Sequence, residues 1–315
     1  MFLMLTIPAA IFFCVLAPCC VMALLVRSLK ASAPKEPNYR GTLVFNGLGI
    51  VWFVWILFFL IGASLYYLEL EAFPDWMTFL MPVLPLIAGT CAFGMFDDWV
   101  RDRDAKGFTG HVRALAHGTI TTGMLKMIGI GFLCLVTAFY MQRDYVHLGS
   151  PLLNVFRVVY PACFMALMAN SMNLLDRRPA RAGKVYLLGL VVAILVLALP
   201  IILSLGAEYY VWLGPVGYFG GSDIVALALA GLGPLLAVWR FDAGEQGMLG
   251  DAGANSMGAF LGYLFLYILP GAVVFFFIMP LLLFLNIVSE RVSFSEVIED
   301  NRVLRFFDRL GRKDV

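Results

Sequence analysis

Long apolar runs fill almost the whole of this 315-residue sequence, and they constrain its fold more than any other feature. A membrane-spanning helix needs about 20 mostly apolar residues, and runs of this kind recur between short polar segments. Apolar residues make up 62% of the chain and charged residues only 14%, a composition that excludes an ordinary soluble domain. The predicted spans are residues 2–26, 44–68, 78–96, 119–140, 151–171, 185–205, 222–240, 253–268 and 270–288.

These runs predict an all-α, polytopic transmembrane bundle of nine to ten spans. The short, glycine-rich segment 209–218 is interpreted as a re-entrant or interfacial piece and not as a further span. Almost every lysine and arginine outside the spans falls in alternate loops, and Arg143 alone lies on the opposite side. Because cytoplasmic loops carry the excess of positive charge, the N-terminus is predicted outside and the C-terminus inside.

Residues 1–288 form the predicted transmembrane domain, and residues 289–315 form a cytoplasmic amphipathic tail. The tail carries apolar residues at near-helical spacing with arginines between them, which favours a helix lying on the inner membrane surface. Ser293 and Glu296 have the spacing of a capping box, so a tail helix is predicted to begin there.

The segment 170–184, NSMNLLDRRPARAGK, joins the end of a predicted span to a cluster of positive charges. Asn170, Asn173 and Asp176 recur every third residue, so on a helix they would lie on one face. Placing polar side chains at the end of a span costs free energy. A stripe of three such side chains therefore marks a candidate functional site.

Carboxylates also close two other predicted cytoplasmic ends, at Asp97 and Asp98 and at Asp251. A single carboxylate at such a position often marks only the point where a helix meets water. Acids from three separate spans on one side of the membrane instead suit Mg²⁺, which takes one or two carboxylates together with substrate phosphates. Nearby cations suit those anionic phosphates. The candidate phosphate-binding cations are Lys106, Lys126, Arg177, Arg178, Arg181 and Lys184. For Lys126, which lies within a predicted span, two interpretations stay open: the side chain extends to the membrane surface, or it points into the site.

Three short motifs, in this order, resemble the signatures of the polyprenyl-phosphate hexosamine-1-phosphate transferases. They are GMFDD ending at Asp98, N-x-x-N-L-x-D ending at Asp176 and G-D-x-G around Asp251. PKEPNYRG followed by Asn46-Gly47-Leu48-Gly49, and Lys106-Gly107, also resemble cytoplasmic loops of this family. The similarity extends over residues 34–260, and the ordered set of motifs carries it more than any single one.

The resemblance implies transfer of a sugar-1-phosphate from a UDP-sugar to a polyprenyl phosphate, with Mg²⁺ as cofactor and release of UMP. It implies an active site on the cytoplasmic face of a bacterial plasma membrane, within the synthesis of a cell-envelope glycopolymer. The implied partners are polyprenyl phosphate, a nucleotide sugar and membrane lipids, with no nucleic acid. The oligomeric state stays open, with a homodimer among the options.

The family's residue roles carry over onto matching positions of this chain. Asp251 would be the main Mg²⁺ ligand, Asp98 would support the metal, and Asp97 would deprotonate or position the lipid phosphate. Asn173 and Asp176 would face the nucleotide and the diphosphate. A direct attack and a covalent aspartyl-phosphate intermediate both stay open.

The chain also departs from the family pattern. Pro179 stands where the second aspartate of the D-G-x-D-G motif is expected, Met248 replaces an aromatic residue, and residues 286–301 contain no histidine. These losses fall on groups that would hold the nucleoside or the sugar, which favours an active enzyme with an altered donor pocket. A non-catalytic lipid-phosphate binder or scaffold, and a transporter of a lipid-linked sugar, are the competing interpretations.

Overall fold

The structure is a computed structural model that describes residues 2–100, 107–146, 149–203, 211–212 and 218–311. It is 81% helical, which confirms the expected all-α helical bundle. Helices dominate because a backbone inside lipid must satisfy its own N–H and C=O groups within the segment.

Twelve helices are named here in chain order. They are α1 (Thr6–Ser32), α2 (Leu48–Leu70), α3 (Asp75–Val100), α4 (Gly107–Ala116), α5 (Thr122–Gln142), α6 (Pro151–Leu175), α7 (Arg181–Leu203), α8 (Gly221–Ala243), α9 (Gly250–Ile268), α10 (Gly271–Val288), α11 (Phe294–Asp300) and α12 (Arg302–Arg309). Within the described chain, eight of them are long and apolar enough to cross a membrane: all except α4, α9, α11 and α12. The protein is therefore a membrane-embedded bundle, while its orientation stays a prediction.

The eighth predicted span, residues 253–268, falls within α9, which does not reach the hydropathy of the eight spanning helices. Helix α9 lies at the centre of the bundle, and every residue from Ala252 to Phe265 is buried. Because α9 contacts protein on nearly all sides, it can carry glycine, asparagine and serine where a lipid-facing helix would carry leucine.

Glycines let the backbones of neighbouring helices approach α9 closely. A Cβ atom at Gly94 of α3 would lie 2.5 Å from the backbone nitrogen of Ala252, and one at Gly258 would lie 2.3 Å from the Met168 carbonyl oxygen of α6. Small residues at such crossings are typical of membrane helix packing. The packing fixes the first turn of α9 against the last turns of α3.

A three-stranded sheet ties the first loop to the loop that precedes α9. Strand β1 (Lys35–Pro37) pairs antiparallel with β2 (Leu43–Asn46). The next two strands, β3 (Val211–Trp212) and β4 (Tyr218–Phe219), form a separate antiparallel pair. Strand β5 (Gly247–Met248) pairs parallel with β2, in the register Asn46 to Met248. The sheet thereby brings Asn46 to the beginning of α9.

The C-terminal tail forms two short helices, α11 and α12, instead of one. The expected capping box is wrong: Ser293 precedes α11 but makes no side-chain capping hydrogen bond. The working cap is Asn301, whose side chain accepts hydrogen bonds from the backbone N–H groups of Val303 and Leu304 and so begins α12. Apolar side chains of α12 and the residue after it are exposed on one side: Val303, Leu304, Phe306, Phe307 and Leu310.

Candidate functional site

The Lys126 ammonium joins three helices at the end of the bundle where the predicted aspartates lie. It contacts Asp97 Oδ2 of α3 at 2.5 Å, and it also contacts Asp251 Oδ2 of α9. The side chain of Thr121 caps α5 by accepting a hydrogen bond from Met124 N, which places Lys126 in the first turns of that helix. Of the two interpretations of Lys126, its contacts agree with a side chain that points to the carboxylates.

Asp98 anchors the N-terminus of α9. Its Oδ1 accepts hydrogen bonds from the backbone nitrogen of Asp251 at 3.2 Å and from Asn46 Nδ2 at 3.1 Å, and its Oδ2 accepts one from Ala252 N at 3.2 Å. A carboxylate is favourable there because the first N–H groups of a helix lack partners within the helix and carry partial positive charge. Asp98 is thus a buried structural contact between α3 and α9, in addition to its predicted catalytic and metal-binding roles.

Gly250 makes this anchor possible. Its φ angle is +66°, and a Cβ atom there would lie 2.1 Å from Asn46 Oδ1 and 2.5 Å from Asp98 Oδ2. A side chain would therefore displace both groups that hold the first turn of α9.

Replacing Gly250 with alanine should lower the free energy of unfolding by about 2–5 kcal/mol. Left-handed backbone costs a non-glycine residue about 1–2 kcal/mol, and a displaced buried hydrogen-bonding group costs about 1–3 kcal/mol more. Thermal unfolding in detergent measures the loss. Gly118 is the matched control, because its φ is +80° but a Cβ atom there would meet no described residue within 4 Å. Equal losses for Gly118→Ala and Gly250→Ala would mean that the Asp98 contact contributes nothing.

A second group of carboxylates lies where α6 and α8 end. Asp176 and Asp242 line one small cavity of about 50 Å³, and Asp242 Oδ2 accepts a hydrogen bond from Ala180 N at 3.0 Å. Burial raises the pKa of Asp176 well above its usual range, and the nearby charges of Asp242, Asp251 and Asp98 raise it further. Asp176 is thus close enough to Asp98 and Asp251 for their charges to act on it.

Asp242 was not predicted as a site residue. The signal was present, since Asp242 is a carboxylate at the end of an apolar run, as Asp97 and Asp98 are. The predicted span ended at residue 240, whereas α8 continues to Ala243, so Asp242 was counted with the loop.

Glu245 links the first loop to the loop after α8. It accepts hydrogen bonds from Asn38 Nδ2 and from the Tyr39 hydroxyl, each at 3.2 Å, and it pairs with Arg40 at 3.1 Å. These three partners come from the predicted family-like segment PKEPNYRG, which therefore packs beside the cavity. Glu245 is a structural tie between the two loops, a role that the sequence did not indicate.

The predicted basic segment divides into two parts. Arg177 is exposed and lines the cavity together with Arg178. Arg181 is buried and pairs with Asp308 of α12, with Nε to Oδ1 at 2.7 Å, and Lys184 donates to the backbone carbonyl oxygen of Asp308, also at 2.7 Å. Positions 181 and 184 share one face of α7, and that face contacts the tail. These contacts differ from the predicted role of Arg181 and Lys184 as substrate ligands.

The predicted stripe of Asn170, Asn173 and Asp176 does not face one site. Asn170 Nδ2 donates to Asn286 Oδ1 of α10 at 2.5 Å, whereas Asp176 lies beside Asp242 of α8. Asn173 is half-buried in the last turn of α6, between these two directions. Side chains six positions apart on a helix point about 120° away from each other, so the first and last members of the stripe diverge. Lys106 lies outside the described residues.

The side chains around Lys126 can be compared with the ligands that Mg²⁺ prefers. Among the described residues, no three histidine, cysteine, aspartate or glutamate side chains are arranged as a metal-binding group. The Lys126 ammonium lies between the carboxylates of Asp97 and Asp251, where a cation would bind. Asn46 Oδ1 is buried beside Asp98 and has no hydrogen-bond partner among the residues that the structure describes. Carboxylate and amide oxygens are ligands that suit Mg²⁺, so the residues fit this ion if the ammonium of Lys126 moves aside.

A search with models of known protein families found no match to this chain. A comparison with curated protein sequences found no significant match either.

Proposed function

We propose that the protein is a membrane-embedded phosphotransferase of the polyprenyl-phosphate hexosamine-1-phosphate transferase type. It would transfer a sugar-1-phosphate from a nucleotide sugar, with UDP as the expected nucleotide, to a polyprenyl phosphate. The reaction would take place at the cytoplasmic face of a bacterial plasma membrane, would require Mg²⁺, and would serve the synthesis of a cell-envelope glycopolymer. The observation that carries this proposal is the contact of Lys126 with Asp97 and Asp251, residues of two motifs far apart in the sequence.

The proposed reaction is a displacement at phosphorus. An oxygen of the polyprenyl phosphate attacks the β-phosphorus of the nucleotide sugar, the bond from that phosphorus to the oxygen bridging the two phosphates breaks, and a nucleoside monophosphate leaves. The lipid product carries the sugar on a diphosphate. Mg²⁺, held by Asp251 with Asp98 and Asp97 beside it, would neutralise charge on the phosphate oxygens when bound.

The chain's own residues would supply position and charge. Asp97 would hold the acceptor phosphate or accept its proton, and its 2.5 Å contact with Lys126 keeps its carboxylate at the site before the substrates bind. If the carboxylates held Mg²⁺, the Lys126 ammonium would be available to contact a phosphate oxygen. Preorganised cations of this kind stabilise a charged transition state without reorganising during the reaction.

The donor side of the site would be held by Arg177 and Arg178, which line the cavity with Asp176. Met248 lines the same cavity, at the position where the family carries an aromatic residue. A ligand pocket is typically about 300–1,000 Å³, and the cavity of about 50 Å³ is too small for a nucleotide. Donor binding would therefore require side chains at the cavity wall to move, which suits an altered donor pocket.

The experiment that tests the function uses purified protein, Mg²⁺, undecaprenyl phosphate and a panel of nucleotide sugars. We expect release of a nucleoside monophosphate and formation of a lipid-linked sugar diphosphate with at least one donor. Asp251→Asn should lower the rate roughly 100- to 1,000-fold, the magnitude typical of losing a group that stabilises transition-state charge. Asp144→Asn is the matched control, because Asp144 is exposed after the far end of α5 and pairs only loosely with Arg143 at 3.7 Å.

Absence of turnover with the whole panel, together with intact binding of the lipid phosphate, would contradict the transferase and favour a lipid-phosphate scaffold. The Lys126 contacts give that second candidate some support, because an ammonium can neutralise Asp97 and Asp251 without any metal. A transporter is disfavoured, because its charged residues are expected near the middle of the membrane and not at helix ends.

A further inference from the structure

The C-terminal helix pair, α11 and α12, presents anionic groups to the basic segment 177–184. Asp308 pairs with Arg181, and both side chains are almost fully buried, with 4% and 5% exposure. Glu299 of α11 pairs with Arg178 at 2.7 Å, and these two side chains are more exposed, at 36% and 22%. The tail therefore holds the basic segment through one buried ion pair and one accessible ion pair.

Arg178 belongs to both the cavity and the tail contact. It lines the cavity with Asp176 and Asp242, and its guanidinium lies over the ring of Tyr39 at 5.3 Å from the ring centroid. Its other partner is Glu299. A phosphate that enters the cavity from this side would contact Arg178, whose guanidinium is already paired with the Glu299 carboxylate.

Glu299 is well suited to remain charged in that position. Arg309 Nη2 donates to Glu299 Oε1 at 2.9 Å, while Arg178 contacts Oε2. The hydrogen bond from Arg309, followed by the charge of Arg178, holds the pKa of Glu299 below its usual range. The carboxylate is consequently ionised at neutral pH.

The two ion pairs differ in how readily they can be exchanged. Removing one partner of a buried pair leaves an uncompensated charge and is strongly destabilising, whereas an exposed pair contributes little to stability. Arg181 also donates to Ser295 Oγ of α11 at 3.0 Å, so it holds both tail helices independently of Arg178. The Glu299 side chain can therefore leave Arg178 by a change of rotamer while the helix pair stays docked.

We propose that Glu299 is an internal competitor for the anionic ligand of the cavity: it occupies Arg178 until a diphosphate-bearing ligand displaces it. This proposal rests on the proposed function only in taking a diphosphate as the ligand. It assigns the tail a regulatory role, in which the strength of the contact between Arg178 and Glu299 sets the affinity for the donor.

The test measures binding of inorganic pyrophosphate to the full chain in detergent, by calorimetry, in the presence of Mg²⁺. Glu299→Gln should bind about two- to fivefold more tightly than the wild type, because an uncharged side chain competes less well for Arg178 and the gain is limited to that of an exposed pair. Glu296→Gln is the matched control, because it makes the same charge change on the same helix at an exposed position. In an Arg178→Gln background, the gain from Glu299→Gln should disappear.

Three outcomes would overturn the proposal. They are equal affinities of Glu299→Gln and Glu296→Gln, a gain that persists without Arg178, and the absence of pyrophosphate binding in every variant. The measurement needs no turnover, so it separates this proposal from the proposed function. If the pyrophosphate affinities change as expected but the protein transfers no sugar-phosphate, only the proposed transferase function is contradicted. Normal turnover with unchanged affinities would contradict only the competition by Glu299.

Discussion

Replacing Lys126 with methionine is expected to lower the stability of the metal-free protein by about 3–5 kcal/mol and to make its stability respond strongly to Mg²⁺. The ammonium contacts the carboxylates of both Asp97 and Asp251 in a mostly buried setting. Removing the shared cation leaves two facing negative charges without compensation, and breaking a buried ion pair in this way costs about 3–5 kcal/mol. Mg²⁺ can restore the missing charge, because both carboxylates are then available as ligands.

The measurement is a thermal unfolding series in detergent at increasing Mg²⁺ concentration. At a concentration about 100 times the dissociation constant, binding to the folded state alone adds about 2.7 kcal/mol. The wild type should respond less, because the ion must displace the ammonium. Lys30→Met is the control, since Lys30 is exposed and donates a single hydrogen bond within the described part of the chain, to Gln246 at 2.9 Å. A Lys126→Met protein as stable as Lys30→Met, or indifferent to Mg²⁺, would contradict a cation site between Asp97 and Asp251.

Replacing Arg181 with methionine is expected to be of similar severity, with a loss of about 3–5 kcal/mol. The guanidinium meets Asp308 through two contacts, Nε to Oδ1 at 2.7 Å and Nη2 to Oδ2 at 3.2 Å. The single change leaves a buried carboxylate opposite an apolar side chain. The loss should appear as a lowered unfolding temperature and as greater proteolysis of the tail.

The double variant Arg181→Met with Asp308→Leu should recover a large part of that loss, because an apolar pair of similar volume often replaces a buried ion pair at little cost. Arg309→Met serves as the control, since Arg309 makes an exposed pair with Glu299 and its loss should change the unfolding temperature little. Losses that simply add in the double variant would mean that Arg181 and Asp308 act independently, and that the tail is held by other contacts.

The helical framework followed from hydropathy, because the length of an apolar run is set by the thickness of the membrane and not by distant contacts. The predicted span 119–140 corresponds to α5, Thr122–Gln142, and the predicted span 222–240 to α8, Gly221–Ala243. The central helix α9 was the weakest case, since its burial by neighbouring helices relaxes the requirement for apolar residues. Hydropathy therefore predicts which helices contact lipid, and it is a weak predictor of a helix that is surrounded by protein.

The carboxylates of the candidate site could be located from the sequence, but their partners could not. Asp97, Asp98 and Asp251 stand at helix ends, which is a local property. Arg181, in contrast, was assigned to a substrate, whereas its partner Asp308 lies 127 residues further along the chain. The direction of Lys126 does not follow from the sequence for the same reason: the neighbours of a helical side chain belong to other helices, which a local pattern does not contain.

The composition of α9 couples the candidate site to the insertion of the protein into the membrane. A helix with glycine, asparagine, serine and an aspartate in its first turns gains little from lipid, so its place in the bilayer depends on contacts with the helices around it. Those contacts are the glycine crossings with α3 and α6 and the Asp98 anchor at its N-terminus. Asp98 and Asp251 consequently come together only when α9 packs against the helices around it, so the insertion of α9 and the assembly of the candidate site depend on the same contacts.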